Sequence, residues 1–248
     1  MNLPALLLLL AGTLGATAQR LPDGFDHKRA AREGLELTTE LLSQVPAENL
    51  TNTGRLLVGR GKSAVEIPIR FTVQRMNGRW ISVYEALTPD AGDSLTVLTV
   101  LHQPGQASCY FRGRPENPDH ATPLNAEEVA TLRFSKSDFW VGDLGLEFLR
   151  WPVQRLLKKE LKRGQSCNVL ESLNPDPPAG GYARVVSWLD IDTGGVVLAK
   201  AYDANRKRMK EFVPKRFKKV DGEWHLLEMR IEDVMSGSQT TILFDVGS

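Results

Sequence analysis

The sequence has no excess of charge of either sign. Its 31 lysine and arginine residues are matched by 30 aspartate and glutamate residues. A nucleic-acid-binding domain usually carries a clear basic surplus, so the balance argues against a general role of that kind. With 42% hydrophobic and 25% charged residues, the composition is that of a globular protein and not of a disordered chain.

Cysteine and histidine are scarce. The chain has two cysteines, Cys109 and Cys167, and four scattered histidines, none of which lies at ligand spacing from a cysteine. The sequence therefore predicts no metal site. An even number of cysteines in an exported chain is compatible with a disulfide. Two unrelated thiols are an equal alternative, because a domain of this length is stable without a crosslink.

Motifs typical of enzymes are also missing. The sequence contains no G-x-S-x-G elbow, no H-E-x-x-H and no glycine-rich phosphate loop. Asp190 and Asp192 flank the end of a predicted strand and are candidates for a cation site. A role at the start of a turn is the simpler interpretation. We therefore expect a protein that is not an enzyme and that uses no cofactor.

Only the amino terminus has a long apolar run. Residues 3–14 are apolar and residues 16–18 (Ala-Thr-Ala) have the small side chains that signal peptidase recognises, which predicts a signal peptide over residues 1–18. No basic residue precedes the run, and an uncleaved anchor is the alternative. Pro4 and the glycines leave the run short of the roughly 20 residues of a membrane span. We expect one exported domain over residues 19–248.

Two segments have the apolar spacing of amphipathic helices. The first covers residues 26–45 and ends at the following proline. The second covers residues 137–163 and is divided by a proline into two pieces. In its first piece Trp140, Leu144 and Phe148 recur every four residues, which places them on one helix face.

The strongest hairpin signal is Asn77-Gly78. This pair follows a strand in which apolar and polar residues alternate, and it favours the positive φ angles of a tight turn. With a two-residue turn, Phe71 lies opposite Tyr84 and Arg75 lies opposite Trp80. One face of this hairpin is therefore rich in large rings.

Most of the remaining chain is predicted to be strands joined by short turns. Such strands form an antiparallel meander, because parallel strands need long crossovers. No linker divides the chain into two domains. The further strands are predicted over residues 95–101, 107–112, 182–189, 196–202, 209–220, 224–232 and 239–245.

Four short motifs carry a resemblance to a known family. They are residues 143–152 (DLGLEFLRWP), 167–172 (CNVLES), 201–203 (AYD) and 224–229 (WHLLEM). In this order they resemble the outer-membrane lipoprotein-sorting (LolA-like) proteins of the bacterial periplasm. The resemblance covers nearly the whole domain in the order of its elements.

The resemblance implies an α+β fold. In this fold a strongly curved antiparallel sheet forms an incomplete barrel, and helices cover its open, concave side. In the best-known members the space between sheet and helices holds the acyl chains of a lipoprotein on its way to the outer membrane. For this chain the resemblance implies a monomeric periplasmic carrier, with a lipid or lipoprotein as ligand and inner- or outer-membrane proteins as partners.

Large side chains on the predicted hairpin, helix and later strands are candidates for lining an acyl-chain cavity, where each buried methylene contributes about 0.8 kcal/mol. The alternative is that the same residues form an ordinary core between helix and sheet. The candidates are Phe71, Val73, Trp80, Tyr84, Trp140, Leu144, Phe148, Trp188 and Phe212.

A basic stretch over residues 206–219 supplies candidates for docking on anionic headgroups or an acidic partner. The alternative is a solvated hairpin whose lysines protect a sheet edge. Two rival functions follow: a non-catalytic interaction module that docks on a membrane or envelope protein, and a secreted hydrolase with a Ser/His/Asp cluster. The docking candidates are Arg206, Lys207, Arg208, Lys210, Lys215 and Arg216.

Overall fold

The computed structural model describes residues 24–87, 95–220 and 223–245. The predicted signal peptide over residues 1–18 lies outside the described residues. Within the described ranges, no helix has the length and apolar character needed to cross a membrane.

One sheet of twelve strands dominates the described part of the chain, in the order β5-β4-β3-β2-β1-β12-β11-β10-β9-β8-β7-β6. All neighbouring strands are antiparallel, and the sheet is open between β5 and β6. The predicted α+β class with an incomplete antiparallel barrel is thus confirmed. The strands are β1 Leu50–Val58, β2 Val65–Met76, β3 Arg79–Ala86, β4 Val97–His102, β5 Cys109–Arg112, β6 Val153–Lys162, β7 Gln165–Leu173, β8 Arg184–Asp190, β9 Val196–Tyr202, β10 Arg208–Val220, β11 Glu223–Asp233 and β12 Gln239–Asp245.

The predicted first helix is confirmed as α1, His27–Ser43. The Asp26 carboxylate accepts a hydrogen bond from the backbone N–H of Arg29 at 2.9 Å and caps its start. Gly34 allows α1 to lie directly on strand β6, since a Cβ there would be 2.6 Å from the backbone nitrogen of Arg155. The helix therefore shields part of the edge strand, which limits unwanted strand pairing.

The predicted second helix over residues 137–163 is wrong for most of its length. Only α3, Val141–Leu144, and a 3-10 turn, Glu147–Arg150, are helical there, after α2, Ala126–Thr131. Residues 153–162 form strand β6, which pairs with β7. The pairing is interrupted by a bulge between Leu156 and Lys158, at a point where the apolar residues Leu156 and Leu157 are consecutive in the sequence. That shift breaks the two-residue period of a strand and imitates the spacing of a helix.

The predicted hairpin is confirmed in its register. Strands β2 and β3 pair Phe71 with Tyr84 and Arg75 with Trp80. Gly78 in the turn has φ = 79°. This is the positive φ angle that the Asn-Gly pair predicted for a tight turn. The local turn chemistry therefore fixes which side chains share a face of the sheet.

Helical elements cover one face of the sheet, which we call the inner face. We call residues 124–151, which include α2, α3 and the 3-10 turn, the cover. Its residues Phe134, Phe139 and Leu144 pack into one apolar cluster on the part of the sheet nearer β5. Phe148 packs with leucines of α1 into a second cluster on β7, β8 and β9. The core thus lies between the sheet and these two covering pieces.

Candidate ligand groove

The β2–β3 hairpin places its predicted cavity residues on the inner face. Val73 is buried, and the Phe71 ring lies 4.7 Å from the Tyr84 ring. The Tyr84 hydroxyl donates to the backbone carbonyl oxygen of Leu144 at 3.0 Å, and burial raises the pKa of Tyr84 well above its ordinary value. Tyr84 therefore ties the hairpin to the cover.

Trp80 lies at the end of the same hairpin and stacks on the His102 ring at a centroid distance of 5.0 Å. Nδ1 of His102 is 3.2 Å from the Ser108 hydroxyl. Burial, together with the charge of Arg150, lowers the pKa of His102 to about 4. The imidazole is therefore neutral at physiological pH.

Trp140, Leu144 and Phe148 are all turned inward, but they do not share one helix face. Leu144 packs in the first apolar cluster and Phe148 in the second. Trp140 stacks on Tyr182 at 4.5 Å. The helix that would have aligned them ends at Leu144, and Leu146 has a left-handed conformation with φ = 50°. The three side chains consequently lie in three different environments.

Trp188 lies on the outer face of the sheet and not beneath the cover. It packs with Cys167 and Leu198 in a separate cluster, and its indole N–H donates to Glu160. The ammonium group of Lys162 lies 4.8 Å from the ring centre. Because alternate residues of a strand face opposite sides, the tryptophan points away from its buried neighbours on the inner face. The expectation that Trp188 lines an inner cavity is corrected by this placement.

The inner face retains little empty space. A cavity of about 30 Å³ lies beneath the cover, with Phe148, Tyr182, Lys210 and Phe212 among its lining residues. That space holds a water molecule or two and not an acyl chain. Around this cavity the candidates Tyr84, Leu144 and Phe212 pack together in the first apolar cluster.

A larger space of about 470 Å³ lies beside the cover, and we call it the groove. Its walls are the start of β5, the cover, and the loop that joins β7 to β8. The volume lies within the range typical of small-molecule sites. Five aromatic side chains contribute to its lining: Tyr110, Trp140, Phe148, Trp151 and Tyr182.

Two carboxylates of the cover also line the groove, and both have partners. Glu147 accepts a hydrogen bond from the Tyr110 hydroxyl at 2.7 Å, and burial raises the pKa of Glu147. Asp143 accepts from the backbone N–H of Trp140 at 2.8 Å and from the Tyr182 hydroxyl at 3.3 Å. Burial raises the pKa of Tyr110 and of Tyr182 well above the ordinary value.

Lys210 is buried beneath the cover, at 2% exposure, and is not the surface docking residue that the basic stretch suggested. Its Nζ donates to the Asp138 carbonyl oxygen at 2.6 Å and lies 3.4 Å from Oδ2 of Asp143. It also lies 3.6 Å above the centre of the Trp140 ring. Burial lowers the pKa of Lys210 to about 8. Strand alternation turns this lysine and Phe212 inward together.

Asp138 anchors the cover to β12. Its carboxylate accepts hydrogen bonds from the hydroxyls of Thr240 at 2.9 Å and Ser238 at 2.5 Å, and Arg133 lies 3.3 Å away. The carboxylate is 1% exposed, so these partners compensate its burial.

The other basic candidates remain at the surface. Arg206, Lys207 and Lys215 are exposed. Arg208 and Arg216 each form an ion pair with a glutamate of the sheet, at 3.2 and 2.6 Å. The basic face is therefore smaller and more neutralised than the sequence alone indicates.

Cys109 and Cys167 are free thiols: Cys109 is exposed beside the groove, and Cys167 is buried on the outer face. Asp190 accepts hydrogen bonds from the backbone N–H groups of Asp192 and Thr193 at 3.2 and 2.9 Å, which is a turn-forming role. In the residues that the structure describes, no group of three His, Cys, Asp or Glu side chains is placed to hold a metal ion.

Several groove residues were not identified from the sequence, among them Tyr110, Glu147, Trp151 and Tyr182. They come from segments that are far apart along the chain, so no single periodicity links them. One signal was available, because the motif over residues 143–152 contributes Asp143, Glu147, Phe148 and Trp151 to the groove.

Comparisons with known proteins identify the fold. A family model described as "Uncharacterized protein" matches residues 125–246, a little less than half of the chain. No curated protein matches the sequence.

Three solved structures share the architecture. A domain named as an outer membrane lipoprotein-sorting protein from Vibrio parahaemolyticus is 17% identical, with a TM-score of 0.68 over 87% of this chain and 92% of that one. A DUF1329 family protein from Desulfovibrio piger is 19% identical, with a TM-score of 0.65 over 87% and 91%. A LolA superfamily protein from Nitrosomonas europaea is 18% identical, with a TM-score of 0.55 over 88% and 92%. The chain therefore shares the fold of these lipoprotein-sorting and LolA superfamily proteins, which confirms the resemblance drawn from its motifs.

Proposed function

We propose that the protein is a carrier that binds the acyl chain of a lipid or lipoprotein in the groove. The observation that carries this proposal is the groove itself, about 470 Å³ in volume and lined by five aromatic side chains. The space beneath the cover is about 30 Å³. An acyl chain therefore fits the groove without displacement of the core.

The lining of the groove suits an acyl chain. Each methylene moved out of water contributes about 0.8 kcal/mol, and Leu124, Val129 and Trp151 add apolar contact area beside the rings. The groove is open at the surface, so a ligand can leave it for a partner without any covalent step. The lipoprotein-sorting name of one structural neighbour is in accord with such a role.

The proposed carrier works in the periplasm. The predicted signal peptide would export it, and inner- or outer-membrane proteins would deliver and receive the ligand. The fold shared with a LolA superfamily protein supports this placement. We expect a monomer, because the groove is formed within one chain.

A docking module is the alternative function. It would use the exposed residues Arg206, Lys207 and Lys215 to contact a membrane or envelope protein. The positive charge available for docking is reduced, because Lys210 is buried and Arg208 and Arg216 each form an ion pair with a glutamate.

A hydrolase is supported less well. His102 and Ser108 form a contact at 3.2 Å, but in the described residues no carboxylate bonds the other ring nitrogen. Burial and Arg150 lower the pKa of His102 to about 4, which makes it a weak general base near neutral pH.

Native mass spectrometry with lipid extraction tests the carrier, on protein purified from its own exported compartment. Ala126→Trp places a large ring in the groove from an exposed position on α2. We expect wild-type protein to carry an acylated ligand and Ala126→Trp to lose it. The matched control is Ala31→Trp, on the exposed side of α1, which should retain the ligand.

The carrier proposal is wrong if wild-type protein is free of ligand and remains so after incubation with acylated compounds. In that case binding of the intact protein to envelope membranes, weakened by replacement of Lys207 and Lys215, would favour the docking module.

A further inference from the structure

Strands β10 and β11 continue past their neighbours in the sheet. In the described part of the chain, β10 pairs with β9 as far as Phe212, and β11 begins to pair with β12 at Glu228. The pairing of β10 with β11 runs further, to the turn that joins them. The two strands therefore continue as a projecting two-stranded ribbon. We call this ribbon, residues 213–220 and 223–227, the arm.

A second segment lies against the base of the arm. Nη1 of Arg163, in the turn between β6 and β7, donates a hydrogen bond to the carbonyl oxygen of Pro214 at 2.9 Å. A proline has no backbone N–H to donate within a sheet, and this one lies where β10 separates from β9. The end of β6 and the arm are therefore parts of one surface. We call residues 158–163 together with the arm the basic edge.

The basic edge has an excess of positive charge that the whole chain lacks. Residues 158–163 and 213–228 contain eight basic and four acidic residues, which leaves a net charge of +4. The net charge of the whole chain is +1, so the remainder of the protein is acidic on balance. A local surplus of one sign attracts a partner of the opposite sign. The partner of this surface is therefore expected to be anionic.

Ion pairs reduce this charge but leave it at the surface. Arg216 pairs with Glu228 at 2.6 Å, and Lys158 pairs with Glu160. Both cationic side chains are exposed, and exposed pairs of this kind are weak, so an anionic partner can compete with the glutamates. Three further cations of the basic edge are exposed to solvent: Lys159, Arg163 and Lys215.

The arm also presents an aromatic ring to solvent. Phe217 is 47% exposed and lies at the centre of residues 215–219, whose other four members are lysine or arginine. Its partner across the ribbon is Leu226. Segments that bind membrane surfaces combine basic residues, which contact anionic lipid, with Phe, Trp or Leu, which enters the headgroup layer. An acidic protein would match the cations but would not explain the exposed ring.

We propose that the basic edge docks on the surface of an anionic lipid bilayer, with the Phe217 ring in the headgroup layer. The inference goes beyond the carrier function, because it assigns a surface that touches a membrane and does not depend on what the groove binds. Each cation near an anionic bilayer strengthens binding about fivefold. A few cations and one ring therefore give weak, reversible docking.

Sedimentation with lipid vesicles tests the inference on the chain without its predicted signal peptide. One set of vesicles contains phosphatidylcholine alone, and the other contains equal amounts of phosphatidylcholine and phosphatidylglycerol. Wild-type protein should bind the anionic vesicles at least about tenfold more tightly than the neutral ones. A rise in ionic strength from about 0.05 M to about 0.5 M should weaken that binding about tenfold, because salt screens exposed charges.

Single substitutions locate the contact. Lys215→Gln should weaken binding to anionic vesicles about fivefold, and Phe217→Ala about tenfold through the loss of apolar area. The matched control is Lys207→Gln, which removes an exposed lysine in the turn at the other end of β10. It should change binding by less than about twofold, since it removes the same charge away from the basic edge.

The outcomes separate membrane docking from the other possibilities. Equal binding to both sets of vesicles, or binding that neither Lys215→Gln nor Phe217→Ala weakens, would overturn the inference. If neither set binds and polyglutamate does, the surface is a site for an acidic protein and lipid docking is wrong. The comparison of the two sets uses wild-type protein, so it stands even if a variant does not fold. Ala126→Trp should bind anionic vesicles as wild type does, so failure of the carrier function and failure of docking are distinguishable.

Discussion

The space beneath the cover and the groove beside it share side chains but differ greatly in volume. Phe148, Tyr182 and Asp143 line both. Beneath the cover about 30 Å³ is left, and in the groove about 470 Å³. The first lies between two layers of side chains, whereas the second lies between a strand end, short helical turns and a loop.

The difference follows from what forms the walls. Two facing layers of side chains interdigitate to crystal-like density. Loops and short turns expose backbone polar groups that need water or other partners, so they do not close on one another. The comparison indicates that facing layers of side chains pack closely in this protein, whereas open space remains where the cover meets the loops.

The largest expected effect tests whether the inner face is truly filled. Phe139→Ala removes a ring that is 1% exposed and contacts the Phe212 ring at a centroid distance of 6.4 Å. We expect the free energy of unfolding to fall by about 4 kcal/mol, measured by denaturant titration. The control is Phe217→Ala, where the ring is 47% exposed and the expected loss is about 1 kcal/mol. Equal losses would mean that the interior is loosely packed.

A smaller effect on the free energy of unfolding is expected at Lys210. This residue lines the inner cavity and forms an ion pair with Asp143, which also lines the groove. Its pKa is about 8 in the folded protein and about 10.4 in an unfolded chain. Between these values the unfolded state binds more protons, so stability rises with pH. We expect a gain of about 2 to 3 kcal/mol from pH 7 to pH 10 through this group.

Lys210→Met isolates that contribution, because all other titrating groups are common to both proteins. The raised pKa values of Tyr84, Tyr110 and Tyr182 act in the opposite sense above about pH 10, since the folded state then retains protons that the unfolded state loses. Denaturant unfolding at several pH values measures the difference. Parallel curves for the two proteins would show that Lys210 is not buried as described.

The smallest expected effect is a difference in thiol reactivity between the groove, which contains Cys109, and the packed outer-face cluster, which contains Cys167. Cys109 is exposed in the groove, whereas Cys167 is 0% exposed, and burial raises the pKa of its thiol. A thiol reagent should label one cysteine in the native protein and the second only in denaturant. Cys109→Ser should abolish the native reaction. A bound acyl ligand should slow it, and an unchanged rate would place the ligand outside the groove.

Local features of the fold were predictable because they depend on neighbours in sequence. Helix α1 follows from apolar spacing and the cap at Asp26, and the register of the β2–β3 hairpin follows from Asn77-Gly78. Strand β6 was misassigned because two consecutive leucines at its bulge break the two-residue period and imitate helical spacing. The bulge depends on pairing with β7, which spacing alone does not reveal.

The candidate site was predictable only in part. The sequence indicated the fold through its motifs and indicated an apolar ligand site through its large side chains. It placed that site on the inner face, because spacing does not tell whether facing residues fill a space or line it. Lys210 illustrates the limit, since its contact with Asp143 joins residues 67 positions apart.

The sequence by itself therefore determined the first helix and the hairpin, since each depends on periodicity or turn chemistry within a few residues. It indicated the class of fold through motifs that resemble a known family. Only the tertiary structure decided that the core is filled, that Lys210 lies beneath the cover and that the groove lies beside it. Those features depend on how segments from distant parts of the chain fill or leave space, and packing of that kind is a property of the assembled layers.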